Sequence, residues 1–383
     1  MNKDKIINFS SILILTLLLS GCWNYKEVNN LSIVSGVAVD LDKEDNKYIV
    51  SVENIVPKGG TEIKLESEVI SLKGDTIFEA IRDLIMKNAK RLYWSHATVA
   101  IFSEELAKDG LISALDFFYR DSEVRADMYL LIANENSAKD LFYSKIKLHT
   151  TSSIHLAKMM QAQGSVGKFE AVELWEFQDA LIQKGISPVI PLVKLAVQKE
   201  EKIPKVIGMA VFKDDKMVGK LDEIESRSLL FLKNQLSGGI IVIKDIANSN
   251  AKVTLEIFDN QTNIKPVIRK GEIIMQINIE TNVGVAEITK NIDVISKEGR
   301  KKLKEAAEKL IKYQVNTLIN KVEKNYQSDI FGFGEKIRME IPQKWKEIEK
   351  EWETRFSSLN YETRVEVNIR SSALTSKPIL LGE

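Results

Sequence analysis

One cysteine stands in a chain of 383 residues, at position 22. A lone thiol rules out an internal disulfide framework and a zinc site built on cysteines. The fold must therefore be held by its apolar core. Leaving out the first 21 residues, roughly 360 remain, enough to bury such a core in two or three domains.

The surroundings of Cys22 say where the chain goes. It closes the run Ile12-Leu13-Ile14-Leu15-Thr16-Leu17-Leu18-Leu19-Ser20-Gly21, and Lys3 and Lys5 stand ahead of that run. Such a stretch is short for a bilayer span and reads as the apolar region of a signal peptide. Leu19-Ser20-Gly21-Cys22 resembles a bacterial lipobox, in which the thiol takes a diacylglyceryl group and the chain is cut before the cysteine. Residues 1–21 are then a signal peptide. Cys22 is expected to carry S-diacylglycerol and N-palmitoyl groups, anchoring the chain to the extracytoplasmic face of a membrane.

Lys+Arg and Asp+Glu balance at 54 each, without the basic excess of a nucleic-acid binder. Strands are expected at 32–41, 47–56, 66–72, 97–102 and 128–133, with clear alternation at 47–56, and helices at 75–88, 111–119 and 137–143, the first carrying Ile77, Ile81, Leu84 and Ile85 at helical spacing. Asp75 is the expected N-cap of the helix after Gly74, and Ser103 that of the helix after it. The charged, proline-punctuated segment 198–204 reads as a linker. Beyond it come a hairpin (206–212 and 217–221) and a helix (222–232). Three further strands are expected at 252–258, 272–280 and 284–295, then the longest helix at 301–326. Its apolar face is read as Leu303, Ala306/Ala307, Leu310, Gln314, Leu318 and Val322. A helix after Pro342 carries Trp345, Ile348, Trp352 and Phe356 on one stripe, and a strand closes the chain at 361–370. This is an α+β, multi-domain chain. Expected divisions are 22–198, 203–240 and 241–376, with 203–376 readable as one C-terminal domain.

No catalytic constellation is legible. His96, His149 and His155 lack the spacing of a metal-binding helix, and no nucleophile elbow or phosphate loop is present; Pro57-Lys58-Gly59-Gly60 reads as a plain loop. No cofactor, metal or catalytic residue is expected, and a ligand-binding residue cannot be named. Three features were weighed as sites. Trp94-Ser95-His96 lines either a pocket or the core. Arg120, Glu123 and Arg125 form either a ligand clamp or a set of structural ion pairs. Asp329-Ile330-Phe331-Gly332-Phe333-Gly334-Glu335 makes either a partner surface or a tight turn plugging the core. In each case the structural role is the expected one.

The pattern as a whole resembles the Ger(x)C family of spore-germination lipoproteins, the C subunits of nutrient germinant receptors. The resemblance rests on the lipidated start Gly21-Cys22-Trp23-Asn24 through Asn29, with Asn24 where the family has Asp. It continues through Gly36-Val37-Ala38-Val39-Asp40, Leu92-Tyr93-Trp94-Ser95-His96 and the segment 117–125 (FFYRDSEVR). It ends with the hairpin 208–221, the Asp329–Gly334 turn, and Pro342, Trp345 and Trp352. It implies three α+β domains, a place on the spore inner membrane, and work with multi-pass A and B membrane subunits in sensing small nutrients. It implies no enzyme activity. A solute-binding lipoprotein of a transporter is the competing reading, disfavoured because the two halves differ in pattern.

Overall fold

The computed structural model describes residues 30–58, 64–144, 151–244, 250–289 and 296–370, with Asp4, Glu27, Ile246 and 292–294. Cys22, His149 and Gly59-Gly60 lie outside the described residues. The described chain is α+β, built on two sheets.

The first sheet begins with an antiparallel meander, β1 (Leu31–Asp42), β2 (Lys47–Lys58) and β3 (Lys64–Gly74). Helix α1 (Ile77–Asn88) follows. Its N-cap is Thr76 rather than Asp75: the Thr76 hydroxyl accepts from the Glu79 N–H, while the Asp75 N–H is taken by the Glu79 side chain. The cap therefore sits one residue further on, where it can reach the third helical N–H. Short β4 (Arg91–Tyr93) and β5 (Val99–Ser103) both run parallel to β1. Ser103 caps α2 (Glu104–Asp109), as expected, and α3 (Ile112–Arg120) leads to β6 (Tyr129–Ala133). All five residues of β5 are buried, as a central parallel strand covered on both faces requires.

A 3-10 turn, Ala138–Tyr143, and helices α4 (Ser152–Gln161), α5 (Gln163–Val166) and α6 (Leu174–Ile182) come next. The sheet then resumes with β7 (Val189–Gln198), β8 (Glu201–Lys213) and β9 (Lys216–Leu221). Its order is β3-β2-β1-β5-β6-β7-β8-β9, with β4 beside β1. The segment expected as a linker is thus a β-hairpin: Gln198 pairs with Glu201, and Lys199 and Glu200 take left-handed φ of 47° and 69°. That is the geometry of a two-residue hairpin turn. Pro204 is tolerated because β9 begins pairing only at Met209, which leaves this part of β8 an edge.

Helix α7 (Glu223–Leu232) starts with a full capping box, Asp222 with Glu225. The second sheet has the order β10-β11-β12-β13, formed by β10 (Ile240–Lys244), β11 (Lys252–Arg269), β12 (Glu272–Ile288) and β13 (Asn360–Ile369). Three expected strands become two long ones, and β10 is new. Gly284 does not break β12; it makes room for the Phe258 ring across the sheet, since a Cβ there would lie 2.5 Å from that ring. Against this sheet lies α8 (Lys297–Lys321), which starts at the Ser296 cap, four residues earlier than expected. Its buried seam runs through Leu303, Ala307, Ile311, Val315 and Leu318, one step round from the expected face at Ala306, Leu310 and Gln314. The last turn, Val322–Tyr326, widens to π geometry. Helices α9 (Phe333–Glu340), α10 (Pro342–Ile348) and α11 (Trp352–Phe356) precede β13. Pro342 occupies the first turn of α10, where its missing N–H costs nothing.

Candidate functional site: a buried clasp between the sheets

The turn between α8 and α9 ties the two sheets together. Gln327 leaves the π turn with a left-handed φ of 50°, which swings the chain toward the first sheet. The Ser328 hydroxyl donates to the Phe212 carbonyl of β8 at 2.5 Å. The Ser187 N–H donates to the Asp329 carbonyl at 2.8 Å, and the Glu335 N–H to the Gly185 carbonyl at 3.0 Å. Gly185 and Gly334 pass backbone against backbone: a Cβ on Gly334 would lie 2.7 Å from both the Gly185 Cα and the Trp352 indole.

Asp329 organises this turn. One carboxylate oxygen accepts from the Phe331 and Phe333 N–H groups, at 3.2 and 3.1 Å. The other accepts from the Gly334 N–H at 2.7 Å and the Trp352 indole N–H at 3.2 Å. These donors offset the cost of burying the group. Around it pack Phe331, Phe333, Phe356, Trp352 and Trp345, with Phe331–Phe333 centroids 5.1 Å apart and Trp345–Trp352 5.4 Å apart. The turn therefore plugs the core, and the tryptophan stripe is core as expected.

A second acid, Glu323, stands on the π turn. It is buried, and its Oε1 has no hydrogen-bond partner among the described residues. Burial first, and the charge of Asp329 next, push it up to about 7. Burial also pushes Asp329 up to about 7, against the pull of its N–H donors. Both acids are thus held well above the usual carboxylate range, burial being the first cause in each.

Beside the clasp a cleft of about 300 Å³ opens between the sheets, with Ile186, Pro188, Trp345 and Trp352 among its lining. Ion pairs cross it, Lys184–Glu349 at 3.2 Å and Lys213–Glu353 at 2.6 Å. Among the described residues, no three His, Cys, Asp or Glu side chains are grouped to hold a metal ion.

The other candidate features resolve into structure. Trp94 is buried edge-on to Phe117 and Phe118, at 5.4 and 6.3 Å. His96 is exposed beside the Tyr93 ring. The three clamp residues do not converge: Arg120 pairs with Asp116, Glu123 with Arg91 and Arg125 with Asp127. His155 lies on α4.

Sequence reasoning missed Glu53. This fully buried carboxylate accepts from the Ser152 and Ser153 N–H groups at the start of α4, at 2.9 and 2.8 Å, and from the Ser153 hydroxyl at 2.5 Å. An anion at a helix N-terminus is well placed electrostatically. Gly36, paired with Glu53 across β1 and β2, leaves space for Ser153; a Cβ there would lie 2.1 Å from its hydroxyl oxygen. The signal was present in Thr151-Ser152-Ser153, a helix start lacking an acid of its own. Asp40 does the same for the 3-10 turn, accepting from the Ser137 hydroxyl and the Ala138 N–H, both at 2.7 Å.

Comparison with known proteins agrees with this architecture. The family described as "Spore germination protein N-terminal domain" matches residues 24–195, and "Spore germination B3/ GerAC like, C-terminal" matches residues 207–373. Spore germination protein B3 of Bacillus subtilis (strain 168) is 26% identical over 94% of this chain and 96% of its own. Spore germination protein KC of the same organism is 23% identical over 96% of both, and spore germination protein GerQC of Bacillus cereus 24% over 95% and 98%. The crystal structure of the GerBC protein superposes with a TM-score of 0.57, covering 87% of this chain and 96% of that one at 23% identity, which is a likeness of fold. With both family domains matched in order across nearly the whole chain, the protein belongs to the Ger(x)C family of spore-germination proteins.

Proposed function

We propose that this protein is the lipid-anchored C subunit of a spore nutrient germinant receptor. The observation that carries the reading is the order of parts: a lipobox ending at Cys22, then the two germination domains at 24–195 and 207–373. In this reading Cys22 bears S-diacylglycerol and N-palmitoyl groups and holds the chain on the outer face of the spore inner membrane. Two or more acyl chains make that attachment stable, where one is marginal. No helix among the described residues is long and apolar enough to cross a membrane, which accords with an anchor of this kind.

The role is assembly and signalling with multi-pass A and B subunits rather than catalysis. The clasp favours this reading, because its hydrogen bonds tie the turn after α8 to β8 and to the loop ahead of β7. The domain divisions at 22–198, 203–240 and 241–376 belong to the same proposal. Affinity purification of the tagged chain from spore membranes tests it. Two multi-pass proteins are expected to co-purify, and recovery of the chain alone or with transporter permeases would contradict the assignment.

A further inference from the structure

The lipid-anchor reading fixes one end of the chain at a membrane, and the fold says what lies next to that end. Eight residues, 23–30, separate Cys22 from Leu31, where β1 begins, so nine steps of chain join the two. At about 3.3 Å per residue they span no more than about 30 Å. Leu31 pairs with Arg91 on β4, three residues past the end of α1. Helix α1 has 12 residues and is about 18 Å long. Its C-terminal end is thus held close to the anchor.

That end has an unusual surface. Phe78, Arg82 and Met86 follow one another at four-residue steps along the helix, and Met86 is 78% exposed and Phe78 49%. The Arg82 guanidinium lies 4.9 Å over the Phe78 ring. Lys87, Lys90 and Arg91 follow; in the stretch 82–91, Asp83 is the one acid against four cations, of which Arg91 is paired with Glu123. The whole chain is neutral, so this is a local excess. Cations complement the negative end of the helix dipole, which accounts for Lys87. They do not account for a large apolar side chain left in water beside them. An exposed apolar side chain flanked by Lys and Arg at a helix end is suited to a membrane interface.

We propose that the C-terminal half of α1 is a second membrane contact. Met86 enters the acyl boundary, and Lys87 and Lys90 meet anionic phospholipid headgroups. The inference rests on the lipid-anchor reading and adds to it. Anchor and helix together hold the first sheet in a set orientation over the bilayer, where a lipid attachment at one point leaves it free to turn.

The test uses the full lipidated chain on vesicles of phosphatidylglycerol and phosphatidylcholine. Met86→Cys and, as a control, Met339→Cys on α9 (64% exposed) are each labelled with nitrobenzoxadiazole. With Cys22 acylated, the introduced thiol is the one that reacts. The label at 86 is expected to emit blue-shifted light and to be quenched by brominated acyl chains, and that at 339 to stay water-like. Each Lys near an anionic surface contributes about fivefold to partitioning. Lys87→Gln with Lys90→Gln is therefore expected to lower the docked-to-free ratio about 25-fold while the protein stays on the vesicles. Water-like emission at 86 from vesicle-bound protein overturns the inference and leaves the anchor standing. Failure of both labelled proteins to float with vesicles, with dye entering Cys22, overturns the anchor itself.

Discussion

Replacing Asp329 by Asn tests whether the clasp holds the two sheets together. The change keeps shape and volume and alters two hydrogen-bond sites. The carboxylate accepts from four N–H groups, two on each oxygen. An amide can keep one oxygen, and its NH2 then faces two donors. Whichever way it is turned, a pair is orphaned: Phe331 with Phe333, or Gly334 with Trp352. A buried donor left without an acceptor costs about 1–3 kcal/mol. Two of them cost about 2–6 kcal/mol, and relief from burying a charge returns part of that. The expected loss is about 3 kcal/mol, a large share of the 5–15 kcal/mol typical of a domain. Urea unfolding followed by tryptophan fluorescence reads it directly, since the Trp352 indole donates to this carboxylate. A loss under about 1 kcal/mol would refute the reasoning.

Further substitutions probe the surrounding parts. Glu323 is pushed up to about 7 in the folded chain, so the folded state binds its proton more tightly than the unfolded state. Its contribution to stability is then present below about pH 4.5 and is lost as pH rises through about 7. Glu323→Gln is expected to flatten this dependence and to gain about 1–2 kcal/mol at pH 8, read as a difference between unfolding curves at pH 5 and pH 8; parallel curves for both proteins would count against it. Gly334→Ala places a methyl group against the Gly185 Cα and the Trp352 ring, and a loss of about 2–3 kcal/mol is expected from such overpacking; an unchanged urea midpoint would show that the contact yields. Trp345→Ala, at 4% exposure, is expected to cost about 3–5 kcal/mol through the cavity it leaves, and an unchanged melting temperature would remove it from the core. Cys22→Ala is expected to shift the protein from the membrane to the soluble fraction, and wild-type partitioning would contradict the anchor.

What was legible in the sequence was local. Ser103 and Asp222 mark helix starts because a cap and its N–H partner lie within three residues of each other. Alternation in β13 reports a buried face at period two, whereas β1 is buried without a break from Val34 to Asp40 and reads as a strand by its β-branched residues. The turn at Lys199 and Glu200 was not legible, because left-handed hairpin turns are signalled by Asn and Gly, and here two long charged residues take that conformation. Segment 198–204 therefore read as a linker. The long hairpin of β11 and β12 reads as three pieces because the polar stretch 259–263 ends the first strand at 258 and Thr281-Asn282 before Gly284 divides the second, although both stretches pair across the hairpin. The clasp was half visible. Its glycines and phenylalanines announced a tight, core-filling turn. The central place of Asp329 depends on Gly185, Ser187 and Phe212, more than a hundred positions away, and on Trp352. Glu53 was hidden the same way, its donors at Ser152 and Ser153 lying 99 and 100 positions on.

The most direct test of the receptor assignment is germination itself. Spores carrying an in-frame deletion of the gene are exposed to a panel of amino acids, sugars and nucleosides, and optical-density loss and dipicolinate release are followed. Selective loss of the response to one nutrient class, restored by the wild-type gene, is the predicted result. Normal germination with every nutrient, in spores that keep no other receptor, would contradict it.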